Sequence, residues 1–281
     1  MSSNMSTNSQ QTAIFLHIHK TAGTTLHAIL RRQYAAAEVY NIDAKGHNFD
    51  HFRQLKQTQF ANIRLLKGHM DYGLHEFLPQ PAVYFTFLRE PIERVISYYA
   101  FIQRTPQHPH HQAANELSLY EFANQQIDPL MANGQTRQLT GGYPQYEFGD
   151  EADTLLAKAK RHLQNHFVIV GLTEQFDESL ILLQKTFSWQ NVWYQRQNVG
   201  SNRPKKSRIN EEVLALLTEQ NQADKELYAY GRSLFQAQIA QQGALFPYRV
   251  QLFRWLNRFT KPYWQLRKFS VRAWLSKPQT S

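Results

Sequence analysis

The chain has 281 residues, of which 42% are hydrophobic, enough for one large domain or two small ones. It contains no Cys, which excludes disulfides, thiolate metal sites and a Cys nucleophile, and which suits a reducing cytoplasm. The net charge is +9, and nine Lys and Arg but no Asp or Glu follow Glu226. The rest of the chain is therefore formally neutral, and its charge does not predict a nucleic-acid surface.

The predicted organisation is a main domain between two distinct ends. Residues 1–11 are polar and uncharged, which predicts a disordered tail and no signal peptide. The sequence contains no run of about 18 apolar residues, so no transmembrane helix is expected. We assign residues 12–246 to the main domain and residues 247–281 to a basic, aromatic C-terminal segment that extends it as a helix.

Strands and helices are predicted to alternate along the main domain. Apolar or β-branched runs predict strands at 13–18, 62–69, 81–89 and 166–172, and 191–197 is compatible with a short fifth strand. Apolar periodicity predicts helices at 24–34, 90–104, 117–126, 130–139, 151–164, 173–187, 210–220 and 223–242, and a loop with two Pro at 104–115. This order indicates an α/β domain with a mainly parallel sheet flanked by helices.

The first motif is "AIFLHIHKTAGTTLHAIL", a strand, a tight turn and a helix start. The first N–H groups of a helix lack partners within the helix and favour an anion. Gly23 would let the backbone approach that ligand, Thr24 and Thr25 would add hydroxyls, and Lys20 a positive charge. A capped helix after an ordinary loop is an equally good interpretation of this turn alone. Because Lys20 precedes the Gly, the motif is not a nucleoside triphosphate loop of the form G-x-x-x-x-G-K-[ST].

The second motif is "YFTFLREPIERVISYY", in which Arg89 ends a predicted buried strand and Ser97 lies in the following helix. Ligands of open α/β sheets bind at such strand ends, where an Arg fork and a hydroxyl could hold a phosphate. Pairing of Arg89 with Glu90 or Glu93 is the alternative for this stretch taken alone.

Together "HIHKTAGTT", "FLREPIERVISYY" and "KGHMDYGLHEFL" resemble the carbohydrate sulfotransferases that use 3′-phosphoadenosine-5′-phosphosulfate (PAPS), in particular heparan sulfate 2-O-sulfotransferase and its bacterial relatives. The resemblance extends from about Ile14 to Phe235. It implies a P-loop-like sheet, PAPS as cosubstrate, no metal, and transfer of the sulfuryl group to a hydroxyl of a saccharide or glycolipid.

The resemblance also implies roles for individual residues. Lys20 would contact the bridging oxygen between phosphate and sulfate, and Arg89 and Ser97 would hold the 3′-phosphate. A basic loop with Arg203, Lys205 and Lys206 would close over the nucleotide, although a solvated loop is the commoner outcome for such a stretch. Beside Lys20, the 5′-phosphate would be wrapped by Thr21, Ala22, Gly23, Thr24 and Thr25.

His69 is the candidate general base, because it follows a predicted strand and Gly68 and falls within the third motif. A neutral imidazole can take the proton of an attacking hydroxyl near pH 7. No comparable argument exists for His17, His27, His47, His75, His108, His110 or His111. The tract at 108–111 could bind a metal adventitiously, but its Pro residues favour a surface loop.

Residues 249–281 interleave Lys and Arg with Trp and Phe, a pattern that suits an anionic membrane surface. The alternative is a terminal helix packed on the domain. We therefore expect a cytoplasmic sulfotransferase, with a possible place at the inner face of the membrane. The remaining alternatives are a kinase-like phosphate-transferring enzyme and a membrane-associated nucleotide-binding protein without turnover.

Overall fold

A computed structural model describes residues 11–42, 49–141, 152–195 and 206–259. Its centre is a five-stranded sheet in which every described pairing is parallel. The strands lie in the order β2-β3-β1-β4-β5. They are β1 Thr12–Leu16, β2 Val39–Ile42, β3 Leu65–Gly68, β4 Ala82–Leu88 and β5 Phe167–Leu172. The predicted α/β class with a parallel sheet is confirmed.

Helices surround this sheet and account for most of the remaining described chain. Their bounds are α1 Gly23–Leu30, α2 Phe49–Arg53, α3 Gln57–Ala61, α4 Pro91–Ile102, α5 His111–Glu116, α6 Leu119–Asn124, α7 Gly134–Thr140, α8 Ala152–His166, α9 Phe176–Phe187, α10 Glu211–Gln220, α11 Gln222–Ala240 and α12 Phe246–Phe259.

Burial explains why the sequence forms this layered arrangement. All five residues of β1 and all four of β3 are buried, as expected for parallel strands that are covered by helices on both faces. A second, smaller apolar core joins α4 to α6 and α10 through side chains such as Val95, Phe122 and Leu217. Helix α4 therefore has one side towards this second core and begins directly at the end of β4.

The strand order creates a crevice between β1 and β4. The strand that follows β1 in sequence, β2, lies on one side of the sheet, whereas the strand that follows β4, β5, lies on the other. The loops that leave the carboxyl ends of β1 and β4 therefore diverge at a topological switch point, the usual ligand site of an open α/β sheet. Both sequence motifs lie in these two loops.

Helix α12 packs on the domain through Phe246, Val250 and Phe253, which are buried. Arg254 secures it to α9 with ion pairs to Asp177 (2.9 Å) and Glu178 (2.8 Å). The sequence alternative of a packed terminal helix is thus confirmed for residues 246–259. Within the described ranges, no helix combines the length and apolar character that a membrane span needs.

Several local predictions were wrong. Residues 191–195 form no strand, and the predicted loop at 104–115 contains the start of α5 at His111. The predicted helix at 130–139 is interrupted by Asn133, whose φ of 50° ends a short 3₁₀ turn before α7 begins. The edge strand β2 was missed because three of its four residues are only partly buried or exposed, so its pattern is weak.

Candidate functional site

The turn after β1 has an unusual backbone. Lys20 and Ala22 both adopt positive φ, at 70° and 64°, which costs a non-Gly residue about 1 kcal/mol or more. Left-handed residues next to a helix start turn successive N–H groups to one side, which makes an anion-binding concavity. Ala22 precedes α1, and no side chain caps that helix. The turn is therefore built as an anion cradle at the carboxyl edge of the sheet.

The threonines of the turn differ in their placement. Thr21 is buried and its hydroxyl donates to the carbonyl of Ile18 at 2.8 Å, so this side chain stabilises the turn itself. Thr24 is exposed at the start of α1, whereas Thr25 is buried. Of the three hydroxyls, that of Thr24 is the most accessible to a ligand.

The structure gives Gly23 a role in packing. A Cβ at this position would lie 1.8 Å from Nε2 of His17, so the ring of His17 already occupies the space that the missing side chain leaves. Gly23 is therefore required by the packing of an imidazole against α1, and the expected approach of a ligand to its backbone stays a prediction.

Arg89 follows β4 and lies beside Lys20. Its Nη1 donates to the main-chain carbonyl of Lys20 at 3.0 Å, and its Nη2 lies 3.5 Å from Glu93. The Nζ of Lys20 sits 4.3 Å from the ring centre of Phe101. The two sequence motifs thus converge, and the Arg89–Glu93 pair that the sequence suggested as an alternative exists alongside this convergence.

Ser97 belongs to the same surface of α4. Glu93, Ser97 and Phe101 are spaced by four residues and so share one face of the helix. Because Glu93 contacts Arg89 and Phe101 contacts Lys20, Ser97 lies between these two contacts. It is largely buried there.

Only the end of the predicted basic loop can be located. Arg203 and Lys205 lie outside the described residues. Lys206 donates from Nζ to Glu90 at 2.9 Å, and Glu90 is the sequence neighbour of Arg89. The end of the loop is therefore anchored next to the Arg89 side of the cradle.

Helix α7 holds both halves of the cradle, which the sequence did not indicate. The amide of Gln135 accepts from the backbone N–H of Arg89 and donates to its carbonyl, both at 2.9 Å. The amide oxygen of Gln138 accepts from the N–H of His19 at 3.3 Å. Two side chains of one buried helix thus fix the main chain at the ends of β4 and β1.

The start of α7 is itself held by Asp224 of α11. This buried carboxylate accepts from the N–H groups of Gln135 (3.1 Å) and Thr136 (2.7 Å) and from the Thr136 hydroxyl (2.8 Å). Arg94 lies 3.6 Å away, equally buried, and neutralises its charge. These contacts join residues 88 or more positions apart, and no local pattern signals them.

His69 stands at the end of β3 between two other imidazoles. Its ring centre is 4.1 Å from that of His17 and 3.7 Å from that of His19, and the planes are tilted by 28° and 6°. Two rings at such distances occupy opposite faces of His69. The only local signal was the His-Ile-His pattern, which puts two side chains on one side of an extended chain.

The hydrogen bonding of His69 fixes its tautomer. Nδ1 lies 2.9 Å from the main-chain oxygen of His17, which can only accept, so the proton is on Nδ1 and the lone pair is on Nε2. Burial, opposed by this hydrogen bond and reinforced by the charge of Lys20, lowers the pKa of His69 to about 4. His69 is therefore neutral at pH 7, with a proton-accepting nitrogen.

The His tract at 108–111 borders the same region. The Tyr98 ring lies 5.5 Å from that of His19, and the Tyr98 hydroxyl is 3.4 Å from Nε2 of His108. His110 approaches Asp128 at 3.9 Å. No group of three or more His, Asp or Glu in the described part of the chain is arranged to hold a metal ion. The tract runs from a turn into the first residue of α5, beside the histidine stack.

The arrangement as a whole combines a turn with the features of an anion-binding cradle and a neutral imidazole. Lys20, Arg89 and the start of α1 present positive charge and N–H donors, while His69 offers a lone pair nearby. Such a site can hold a polyanionic ligand and take a proton from a second molecule.

Comparisons with known proteins bear on this chemistry. A family model described as galactose-3-O-sulfotransferase matches residues 2–257. Galactose-3-O-sulfotransferase 3 of Bos taurus is 28% identical over 256 residues, covering 83% of this chain and 58% of that protein. Galactosylceramide sulfotransferase of Homo sapiens is 26% identical over 249 residues, covering 82% and 58%.

Among solved structures, the crystal structure of mouse sulfotransferase SULT7A1 complexed with PAP has a TM-score of 0.40 and 11% identity, covering 76% of this chain and 65% of that one. The chain spans about 58% of the length of the curated relatives it matches. The resemblance to carbohydrate sulfotransferases that the three motifs carry is confirmed by the family match.

The buried histidines predict acid-sensitive folding. An unfolded histidine titrates near its ordinary pKa of 6.5, but in the folded chain the pKa is about 4 for His69 and about 3 for His27, chiefly through burial. Below pH 6.5 the unfolded state binds more protons, so each such histidine should lower the free energy of unfolding by about 1.4 kcal/mol per pH unit down to its folded pKa. Urea unfolding at pH 7, 6 and 5 measures this, and His69→Gln should reduce the slope. A stability that does not fall on acidification contradicts the prediction.

Proposed function

The chain belongs to the galactose-3-O-sulfotransferase family, and from this premise we propose that it transfers the sulfuryl group of PAPS to a hydroxyl of a galactose-containing saccharide or glycolipid. The observation that carries this proposal is the 3.0 Å hydrogen bond from Arg89 to the carbonyl of Lys20. It joins the cation of the second motif to the main chain of the first, so both motifs can contact one nucleotide with phosphates at its 5′ and 3′ positions.

PAPS would bind with its phosphosulfate in the turn and its 3′-phosphate beside Arg89. The N–H groups at Thr21, Ala22, Gly23, Thr24 and Thr25 would surround the 5′-phosphate, and α1 would direct its positive end towards it. Arg89 would exchange its pairing with Glu93 for the 3′-phosphate, with Ser97 adjacent. The Lys206–Glu90 ion pair supports a place beside Arg89 for the described end of the basic loop.

Transfer would proceed in line at sulfur. The acceptor oxygen forms a bond to sulfur as the bond from sulfur to the 5′-phosphate oxygen breaks, and that oxygen keeps the electron pair. Lys20 would leave the ring of Phe101 and meet the negative charge on the leaving oxygen. The acceptor's proton would pass to Nε2 of His69.

The tautomer of His69 supports its role as the base. Its Nδ1–H is engaged by the carbonyl of His17, and that oxygen would also stabilise the imidazolium that forms when Nε2 takes a proton. No metal takes part in the proposed steps, since the leaving group is met by Lys20 and by N–H donors. A kinase-like enzyme or a binding protein without turnover are the competing outcomes, and the transfer assay below separates them.

We also propose that α12 contacts an anionic membrane surface. Five apolar side chains at spacings of three and four residues form a stripe, each more than half exposed: Leu245, Tyr248, Leu252, Trp255 and Phe259. The opposite side of α12 is buried, so the stripe faces outward. Arg249 and Arg258 are exposed on the same helix. The absence of acidic residues after Glu226 favours anionic lipid over a second copy of this chain.

Arg89→Met should remove the preference for a 3′-phosphate. A charge-assisted hydrogen bond contributes about 1.5–3 kcal/mol, so the affinity for 3′-phosphoadenosine-5′-phosphate (PAP) should fall by about 10- to 150-fold. The affinity for adenosine 5′-monophosphate, which lacks that group, should fall less, because it loses only the support that Arg89 gives the turn through the carbonyl of Lys20. Calorimetry with both nucleotides measures this difference. Equal losses for the two nucleotides would contradict the assignment of Arg89.

Lys20→Ala and His69→Ala should each lower turnover by about 10²- to 10⁴-fold, because one removes the charge at the leaving oxygen and the other the base. PAP binding should survive in His69→Ala. The measurement is transfer of radiolabelled sulfate from PAPS to lactose and to galactosylceramide. A galactoside methylated at the 3-hydroxyl tests the position of transfer.

Matched controls are Lys185→Ala and His51→Ala, which lie outside the cradle and should keep the wild-type rate. Wild-type turnover in His69→Ala would remove this residue from the mechanism. PAP binding without transfer to any acceptor would favour the binding protein, and transfer of phosphate from a nucleoside triphosphate would favour the kinase-like enzyme.

Membrane contact is tested by sedimentation with vesicles that contain phosphatidylserine or only phosphatidylcholine. Each apolar side chain buried in lipid contributes about 1.5–3 kcal/mol, so Tyr248→Ser/Leu252→Ser/Trp255→Ser should weaken binding by at least about tenfold. Gln251→Ser, an exposed polar position on the same helix, is the control. Equal sedimentation of the triple variant and the wild-type chain would contradict the proposal.

A further inference from the structure

We propose that Lys67, a buried lysine of β3, is a positioning residue for transfer: acting through His27 and His17, it fixes the ring against which the base His69 is stacked. This inference rests on the proposed function, since His69 is the base only if the chain transfers a group to a hydroxyl. The geometry that carries it is a continuous line of side-chain contacts across the sheet.

The line begins at β2 and ends at the histidine stack. Nζ of Lys67 donates to the side-chain oxygen of Asn41 at 3.0 Å and lies 3.2 Å from Nδ1 of His27. Nε2 of His27 then lies 3.1 Å from Nδ1 of His17. Lys67 is only 8% exposed and His17 only 7%. A lysine so enclosed needs its hydrogen bonds satisfied, and two of its partners are an amide and an imidazole.

The donors and acceptors in this line leave one assignment of protons. An ammonium group only donates, so Nδ1 of His27 accepts and the proton of His27 is on Nε2. That proton is donated to Nδ1 of His17, so the proton of His17 is on its own Nε2. His69 has the opposite tautomer, because its Nδ1 donates to the carbonyl of His17. Lys67 thus determines two histidine tautomers in sequence.

Stacking transmits this orientation to the base. His17 is held between Phe15, at 5.2 Å, and His69, at 4.1 Å. His19 covers the other face of His69 at 3.7 Å. The backbone of Gly23 packs against the ring of His17, because a Cβ at this position would overlap the ring. If the ring of His17 rotated out of its present plane, it would therefore displace the ring of His69 and change the direction of the lone pair on Nε2 of His69.

The line also keeps the neighbours of the base uncharged. A proton donated by Lys67 occupies the nitrogen at which His27 would otherwise be protonated. Burial and then the charge of Lys67 lower the pKa of His27 to about 3. When His69 takes the proton of the acceptor, it is next to a neutral His17 and not to a second cation. Without Lys67, His17 could adopt either tautomer and a different tilt.

The test is Lys67→Met in the full chain, which keeps an unbranched stem and removes the donor. We expect kcat to fall by about tenfold or more, since a small misplacement of a base has a large effect on rate. The KM for PAPS and the affinity for PAP should stay within about twofold. Lys67→Arg, which restores a donor, should recover part of kcat. Lys185→Met, a surface position, is the control and should keep the wild-type rate.

A spectroscopic readout separates positioning from general stability. Long-range ¹H–¹⁵N spectra of the histidines in the wild-type chain should show the proton on Nε2 for His17 and His27 and on Nδ1 for His69. In Lys67→Met the His17 signals should move towards a mixture of tautomers. A wild-type kcat in Lys67→Met, or a wild-type spectrum with the His17 proton on Nδ1, would overturn the proposal. If Lys67→Met does not fold, the wild-type spectrum decides alone.

The same experiments distinguish this inference from the proposed function. If the wild-type chain transfers sulfate and His69→Ala does not, but Lys67→Met keeps full kcat, the positioning role fails while the sulfotransferase stands. If the wild-type chain transfers no sulfate to any acceptor, the sulfotransferase proposal fails, whichever tautomers the spectra show.

Discussion

One hydrogen bond, from the guanidinium of Arg89 to the carbonyl of Lys20, joins the two halves of the candidate site. It can form because β1 and β4 are adjacent, parallel and in register from Thr12 with Ala82 to Leu16 with Thr86, so both strands deliver their loops to the same edge. The positive φ values of Lys20 and Ala22 are unfavourable for an isolated chain. They persist because the contact of Arg89 with Lys20 and that of Gln138 with His19 hold the turn from both sides.

The main chain of Arg89 is held in place by buried polar groups of α7, α11 and α4, none of which binds a ligand in the proposed function. Asp224 is fully buried and is satisfied by three donors of α7 and by the charge of Arg94. A buried ion pair often adds little net stability, because the desolvation of both charges opposes their attraction. In this chain the Arg94–Asp224 pair instead fixes the position of α7, and α7 fixes the main chain of Arg89. Arg94, enclosed and neutralised, is thereby distinguished from Arg89, whose charge remains at the edge.

The sequence predicted the parts of this site that depend on local patterns. Apolar runs identified β1, β3, β4 and β5, and the order of strands and helices indicated the parallel sheet that brings Lys20 and Arg89 together. Gln135, Asp224 and Lys67 were not found, because their partners lie far away in sequence or on a neighbouring strand. The sequence identified Lys67 only as one residue of a strand. The folded structure is needed to show that its amine reaches His27 of α1. The contact of Gly23 with the ring of His17 was not predicted either, because the sequence does not show that this ring folds back against the start of α1.

The electrostatics of His69, the proposed base, follow from the same convergence. Burial lowers the pKa of His69 most, and the cation of Lys20, which a site for a polyanion needs, lowers it further. A base with a pKa of about 4 holds a proton weakly. Under the proposed function, however, the empty cradle is not the state in which the base acts. Bound PAPS would bring negative charge to Lys20 and offset its repulsion of the imidazolium, which would raise the pKa of His69 above its value in the empty cradle, while the effect of burial remains. The cosubstrate would thus make His69 a stronger base for the transfer of the sulfuryl group. Because His17 and His19 are neutral, the charges of the cradle would control this change in the pKa of His69.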